Sequence, residues 1–201
     1  MEFVFWFAVF GCLYSYFLYP LALKFVPNRS TRCQSSDTTP LVSLIVTCHN
    51  EENRIDEKLL NTLAIEYKNI EVLIASDCST DRTNEIVQGY SDNKVILVDV
   101  KEHLGKEYAQ LQAINEAKGD ILVFSDVATR LEPDAIDKMV AYYDDANIGA
   151  VSSEDRFISQ SGEVVGEGAY VAYEMWLRKK ESSKSGLVGL SGSFFSARKE
   201  V

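Results

Sequence analysis

Hydrophobic positions fall along this chain in two regimes. From Phe3 to Leu23 nearly every residue is apolar or aromatic, interrupted only by Gly11, Ser15 and Pro20. A helix of roughly 21 residues rising ~1.5 Å per residue spans about 30 Å, the thickness of a bilayer core. Pro27 to Pro40 then carries Ser, Thr and Asn with no hydrophobic period and reads as a linker. Beyond Leu41, short apolar runs alternate with segments of helical spacing. Val42 to Thr47, Ile70 to Ala75, Val95 to Val98, Ile121 to Phe124 and Gly149 to Ser152 are bounded by turn residues and read as strands buried on both faces. Between them, Ile55, Leu59, Leu60 and Leu63 mark the packing face of one helix. Ile86, Val87 and Tyr90 mark a second, and Ala109, Leu111, Ala113, Ile114 and Ala117 a third. Pro133 opens a helix running to about Asp144, and Tyr170 to Lys180 is a further one. Leu187 to Ala197 reads as a glycine-hinged loop and last strand, with another helix starting at Arg198 to Val201. The alternation predicts a three-layer α/β domain around a mainly parallel sheet. The expected organisation is a transmembrane helix over 1–25, a linker over 26–40 and a folded domain over 41–201.

Charge sharpens this picture. Glu2 precedes the apolar segment, and Lys24, Arg29 and Arg32 follow it, which places the folded domain in the cytosol by the positive-inside rule. A cleaved leader is the competing reading; it would carry a basic start and a small-x-small cleavage site, and neither is present. The expectation is a single-pass membrane protein. A net charge of −10 argues against a nucleic-acid partner. Cys12, Cys33, Cys48 and Cys78 show neither metal-ligand nor redox spacing. Candidate chemistry gathers at the strand ends, where open α/β sheets bind ligands. Thr47, His49 and Glu51 follow the first strand, Asp77 the second and Asp126 the fourth; Lys106 follows a glycine after the third. A carboxylate such as Asp126 is either a turn cap or a hard oxygen ligand for a divalent cation holding a phosphate. His49 is either a solvated loop histidine or a flat surface for a base. Asp81 reads as a helix cap. No Gly-x-Gly-x-x-Gly follows the first strand, which disfavours a dinucleotide-dependent oxidoreductase.

Five segments occur in a fixed order: VSLIVTCHNEE, SDCSTDRT, HLGKEYAQLQAINEAKGD, FSDVATRLEPDA and LSGSFFSARKEV. Together they resemble the nucleotide-sugar half of a family 2 inverting glycosyltransferase with a GT-A fold, and the leading helix ending in Tyr19-Pro20-Leu21 resembles membrane-bound polysaccharide synthases of that family. The resemblance implies a Rossmann-like GT-A sheet and transfer of a sugar from a nucleotide-diphosphate donor, UDP-linked, to a glycan or lipid-linked acceptor. It implies that Thr47, His49 and Glu51 line the nucleotide, that Asp77 accepts a hydrogen bond from uracil, and that Lys106 stands near the phosphates. Asp126 matches the first aspartate of the family's Asp-x-Asp motif, which holds Mg²⁺ or Mn²⁺; Ala128 stands where the second carboxylate belongs. The family's general base comes from a Glu-Asp motif beyond the last strand seen here. Glu154 and Asp155 are weak substitutes, so the chain is expected to be an N-terminal piece of a longer transferase. The alternative is a catalytically inactive domain of the same fold that binds a nucleotide or a partner.

Overall fold

A computed structural model describes residues 2–28, 39–91, 94–154, 169–184, 186 and 189–200. The chain divides into two compact units: Met1–Thr31 with Arg156–Leu190, and Arg32–Asp155 with Ser191–Val201. In the second unit, six strands form one sheet: β1 (Val42–Cys48), β2 (Ile70–Asp77), β3 (Val95–Val100), β4 (Ile121–Asp126), β5 (Ala150–Ser152) and β6 (Phe194–Arg198). Their order is β3-β2-β1-β4-β6-β5. β1, β2, β3 and β4 run parallel, while β6 lies antiparallel between β4 and β5. The chain winds outward from β1 through β2 to β3, then returns past β1 to β4. A crevice forms at the carboxyl ends of strands where the winding reverses in this way. The register places Thr47 opposite both Ala75 and Asp126, so the ends of β1, β2 and β4 come level.

Alternation along β1 sends Val42, Leu44, Val46 and Cys48 into one core and Ile45 into the other. On the first face lie α3 (Ile55–Leu63), α4 (Thr83–Gln88) and α6 (Ala135–Val140), through Ile55, Leu59, Val87, Ile136 and Met139. On the second lies α5 (Lys106–Glu116), whose Ala109 and Ala113 let it approach Ile45 and Leu73 closely. This is the three-layer GT-A arrangement that the resemblance implies. One glycine is required by closeness: a Cβ on Gly119 would stand 2.6 Å from the Ser43 backbone nitrogen. Instead Gly119 N donates to Ser43 Oγ (2.8 Å), and Ser43 Oγ donates to Glu71 Oε1 (2.6 Å), tying the start of β4 to β1 and β2.

Three local expectations need correction. On α3, Leu60 and Leu63 are 56% and 40% exposed, and the sheet-facing positions are Ile55, Lys58, Leu59 and Thr62. The spacing i, i+3, i+4, i+7 is kept, but a lysine and a threonine occupy it. α6 begins at Ala135 rather than Pro133, whose carbonyl accepts from Glu66 N (2.9 Å), and a 3₁₀ turn over Ala141–Asp144 follows it. Arg198 ends β6 instead of opening a helix; its guanidinium donates to the carbonyls of Ile148 and Tyr143 and sits over the Tyr143 ring.

In the first unit, residues Glu2–Phe25 are helical throughout and long and apolar enough to cross a membrane. The helix comprises α1 (Glu2–Leu13), a π-helical turn over Tyr14–Leu18, α2 (Tyr19–Ala22) and a 3₁₀ turn over Leu23–Phe25. It packs on α7 (Ala169–Ser182): Tyr19 OH donates to Glu181 Oε1 (2.7 Å), and Tyr173 OH to the Tyr16 carbonyl (3.2 Å). The expected linker falls largely on 29–38, and Cys33 and Asp155 with it lie outside the described residues.

Candidate functional site

The level ends of β1, β2 and β4, with the turn leading into α5, enclose a cleft of about 440 Å³. Thr47, His49, Glu51, Asp77, Lys106 and Asp126 all line it. Glu154 does not line it, and Asp155 lies outside the described residues. His103, Gly105, Arg54 and Ala128, which the strand-end argument did not single out as site residues, also line it, with Cys48 and Val127.

At one end stands Asp77, only 3% exposed at the end of β2. Its Oδ2 accepts from His103 Nδ1 at 2.8 Å, while its buried Oδ1 has no partner among the described residues. A buried carboxylate oxygen without a donor costs about 1–3 kcal/mol, more for a charged group. The hydroxyl of Thr47, which also lines the cleft, is likewise buried and has no partner among the described residues. His49 stacks on His103, ring centroids 4.3 Å apart. Its Nδ1 lies 2.5 Å from the Asp77 carbonyl, which can only accept, so Nδ1 carries the proton; Nε2 then accepts from Asn50 Nδ2 at 3.1 Å. Ligand atoms of His49, Asp77 and His103 lie within 4.8 Å of one another. Hydrogen bonds already engage both nitrogens of His49, so the trio is built as a hydrogen-bonded wall rather than an open cation site. Asp81, expected as a cap, stands one residue before Arg82, the N-cap of α4; its Oδ1 accepts from Thr83 N (2.9 Å) and Thr83 Oγ1 (2.6 Å) as an Asx turn leading into the helix. Burial pushes the Cys48 thiol up to about 12, so it is no nucleophile here.

At the other end, Lys106 Nζ donates to Asp126 Oδ1 (2.6 Å) and to the Gly192 carbonyl (3.3 Å). Gly105 makes this possible: at φ +94° and ψ 169° it turns the chain so that Lys106 opens α5 facing β4. Both charged groups are partly exposed, so the pair remains available to a ligand. Asp126 begins a tight turn in which Thr129 N donates to its carbonyl (3.1 Å), and its own N–H donates to the Ser193 carbonyl (3.2 Å). The Asp126 carboxylate suits a divalent cation that takes most of its oxygens from phosphate and water, the Lys106 ammonium suits the phosphate itself, and Ala128 has nothing to coordinate.

Behind the turn lies Lys58, 3% exposed. Its Nζ donates to Ser125 Oγ (2.8 Å) and to the Thr129 carbonyl (2.5 Å). Burial pushes its pKa down to about 8, and the Asp126 carboxylate pulls partly the other way.

Comparison with known proteins gives the family and the fold. Residues 43–201 match the profile of "Glycosyl transferase family 2". Poly-beta-1,6-N-acetyl-D-glucosamine synthase from Staphylococcus aureus is 28% identical over 184 residues, covering 89% of this chain and 44% of the relative. The Staphylococcus epidermidis protein of the same name is 26% identical over 198 residues, 95% of this chain and 46% of that one. This chain thus spans less than half the length of these relatives. Among solved structures, the mannosyltransferase PcManGT from Pyrobaculum calidifontis, in complex with GDP-Man and Mn²⁺, superposes with a TM-score of 0.77 at 25% identity; the match covers 96% of this chain and 54% of that one. Glucosyl-3-phosphoglycerate synthase from Mycobacterium tuberculosis, in complex with Mn²⁺, UDP and glucosyl-3-phosphoglycerate, shares the fold with a TM-score of 0.55 at 20% identity, over 87% of this chain and 65% of that one.

Proposed function

The chain belongs to glycosyl transferase family 2, and from that premise we propose that it holds the nucleotide-sugar donor of a membrane-anchored inverting glycosyltransferase that builds a polysaccharide. The observation that carries this reading is the buried Oδ1 of Asp77, unpartnered among the described residues, in the same cleft as the Lys106–Asp126 pair. The 3-NH of uracil supplies the donor that Oδ1 lacks, and Thr47 and the stacked imidazoles line the same end. The diphosphate then reaches toward Lys106 and Asp126. As the bond from the anomeric carbon to the diphosphate breaks, negative charge grows on the leaving oxygens. The Lys106 ammonium faces that charge in a site already built to hold it. Asp126 would hold Mg²⁺ or Mn²⁺, which neutralises the same diphosphate when bound. The acceptor, a glycan or lipid-linked sugar, attacks from the side away from the diphosphate.

The relatives that bear on the product are polysaccharide synthases. The helix Glu2–Phe25 supports a membrane anchor, and Lys24 at its end with Arg29 and Arg32 after it support a cytosolic domain that meets nucleotide sugars where cells make them. Ala128 favours a second reading, in which the domain binds the donor without transferring it. A radiolabelled transfer assay separates the two, since only the first yields sugar on acceptor.

Calorimetry on the full chain in detergent tests the donor reading. UDP should bind, with GDP as comparison for the base, and Asp77→Ala should weaken UDP binding by roughly 5- to 150-fold, the equivalent of about 1–3 kcal/mol. An unchanged dissociation constant removes Asp77 from the site and the reading with it.

A further inference from the structure

One buried cation has no role in the donor contacts described above. Lys58 projects from the sheet-facing side of α3 between Ile55 and Leu59, both fully buried. An apolar side chain would fill that space without the cost of desolvating an ammonium. The two oxygens it reaches, Ser125 Oγ and the Thr129 carbonyl, belong to no carboxylate, and they lie on either side of Asp126. Ser125 Oγ in turn donates to the Asp126 carbonyl (3.3 Å), to which Thr129 N also donates. The ammonium therefore bridges both ends of the turn that presents the Asp126 carboxylate, and Lys58 is not among the residues that line the cleft.

We propose that Lys58 is a positioning residue for Asp126, clamping the Ser125–Thr129 turn so that a single carboxylate can serve a divalent-cation and diphosphate site that Ala128 leaves one ligand short. The proposal rests on the donor-site reading above. With two carboxylates, a cation is held even if one side chain wanders; with one, the orientation of that one decides the affinity. Groups that fix a metal-ligating side chain from behind typically account for 10- to 100-fold in metal affinity. Lys58 supplies this support through its bonds to Ser125 Oγ and the Thr129 carbonyl, not by touching the carboxylate.

The test uses the full chain in detergent, with Mn²⁺ binding in the presence of UDP read by electron paramagnetic resonance and metal-free UDP binding read by calorimetry. Lys58→Met keeps the length and most of the volume of the side chain. The expected result is Mn²⁺ binding about 10- to 100-fold weaker in the UDP complex, with metal-free UDP binding unchanged and the thermal midpoint equal or higher. Ser125→Ala should move Mn²⁺ affinity in the same direction by less. In an Asp126→Asn background, Lys58→Met should cause no further loss. If Lys58→Met keeps the wild-type Mn²⁺ affinity, or loses metal-free UDP binding to the same extent, the positioning role is overturned. Should Lys58→Met fail to fold, an unchanged Mn²⁺ affinity in Ser125→Ala overturns it instead. A wild-type chain that binds UDP but shows no UDP-linked Mn²⁺ binding overturns the Asp126 reading itself, a distinct failure seen before any variant is made.

Discussion

Lys58 and Asp77 show how a few buried polar groups fix the character of this molecule. A lysine whose pKa falls from 10.5 to about 8 on folding leaves a signature in stability. Below pH 8 both folded and unfolded states carry the charge, and the burial cost is fully present. Between about 8 and 10.5 the unfolded chain holds a proton that the folded chain has released, so stability rises with pH across that window. Urea unfolding of wild type and Lys58→Met, compared from pH 7.5 to 10.5, should show wild type gaining on the variant by something on the order of 3 kcal/mol. Parallel profiles would contradict the burial of this ammonium. Asp77 and Asp126 were legible in the sequence because each follows an apolar run at a strand end. Lys58 was not: a lysine beside Leu59 and Leu60 reads as solvated, and only the rotation of α3 about its axis turns it inward. His103 was missed for a similar reason, since nothing local to His103-Leu104-Gly105 shows that its ring meets His49 from another strand's turn.

Among the described glycines, one sits where two elements meet too closely for an extra atom. Gly119 precedes β4, and an added methyl would stand 2.6 Å from both the nitrogen and the Oγ of Ser43 and 2.8 Å from the Leu41 carbonyl. Since two of those atoms are backbone of the central strand's approach, relief requires β1 to shift. Gly119→Ala should therefore cost about 1–3 kcal/mol, read as a lower urea midpoint at unchanged slope. A midpoint equal to wild type would mean that the contact relaxes freely. Strands were the most legible elements, because β-branched runs between turn residues admit few other structures. Helix faces and starts were less so. The leucines at 60 and 63 satisfy a helical period, yet the sheet selects the neighbouring face. The start of α6 slides past Pro133 because the Pro133 carbonyl is taken by Glu66 N.

At the scale of the whole molecule, the strand order was out of reach of periodicity. β6 inserts antiparallel between β4 and β5, a pairing set by long-range packing after more than forty intervening residues, from 153 to 193. The apolar helix, by contrast, was plain from composition alone. If it anchors the chain, the protein should stay in the membrane pellet through an alkaline carbonate wash. Phe10→Arg, with a cost of about 2.5–3.5 kcal/mol near the middle of a span, should move a large share to the supernatant. An equal distribution for wild type and variant would argue against a spanning helix. The central claim is that donor and cation meet at one end of the cleft, on Asp126, while the base sits at the other, on Asp77. Crystals of the chain grown with UDP and Mn²⁺, measured at the manganese absorption edge, test it most directly. The predicted result is an anomalous peak against the Asp126 carboxylate and the diphosphate, with uracil hydrogen-bonded to Asp77 Oδ1. A peak among His49, Asp77 and His103 instead, with the nucleotide displaced from Asp77, would contradict it.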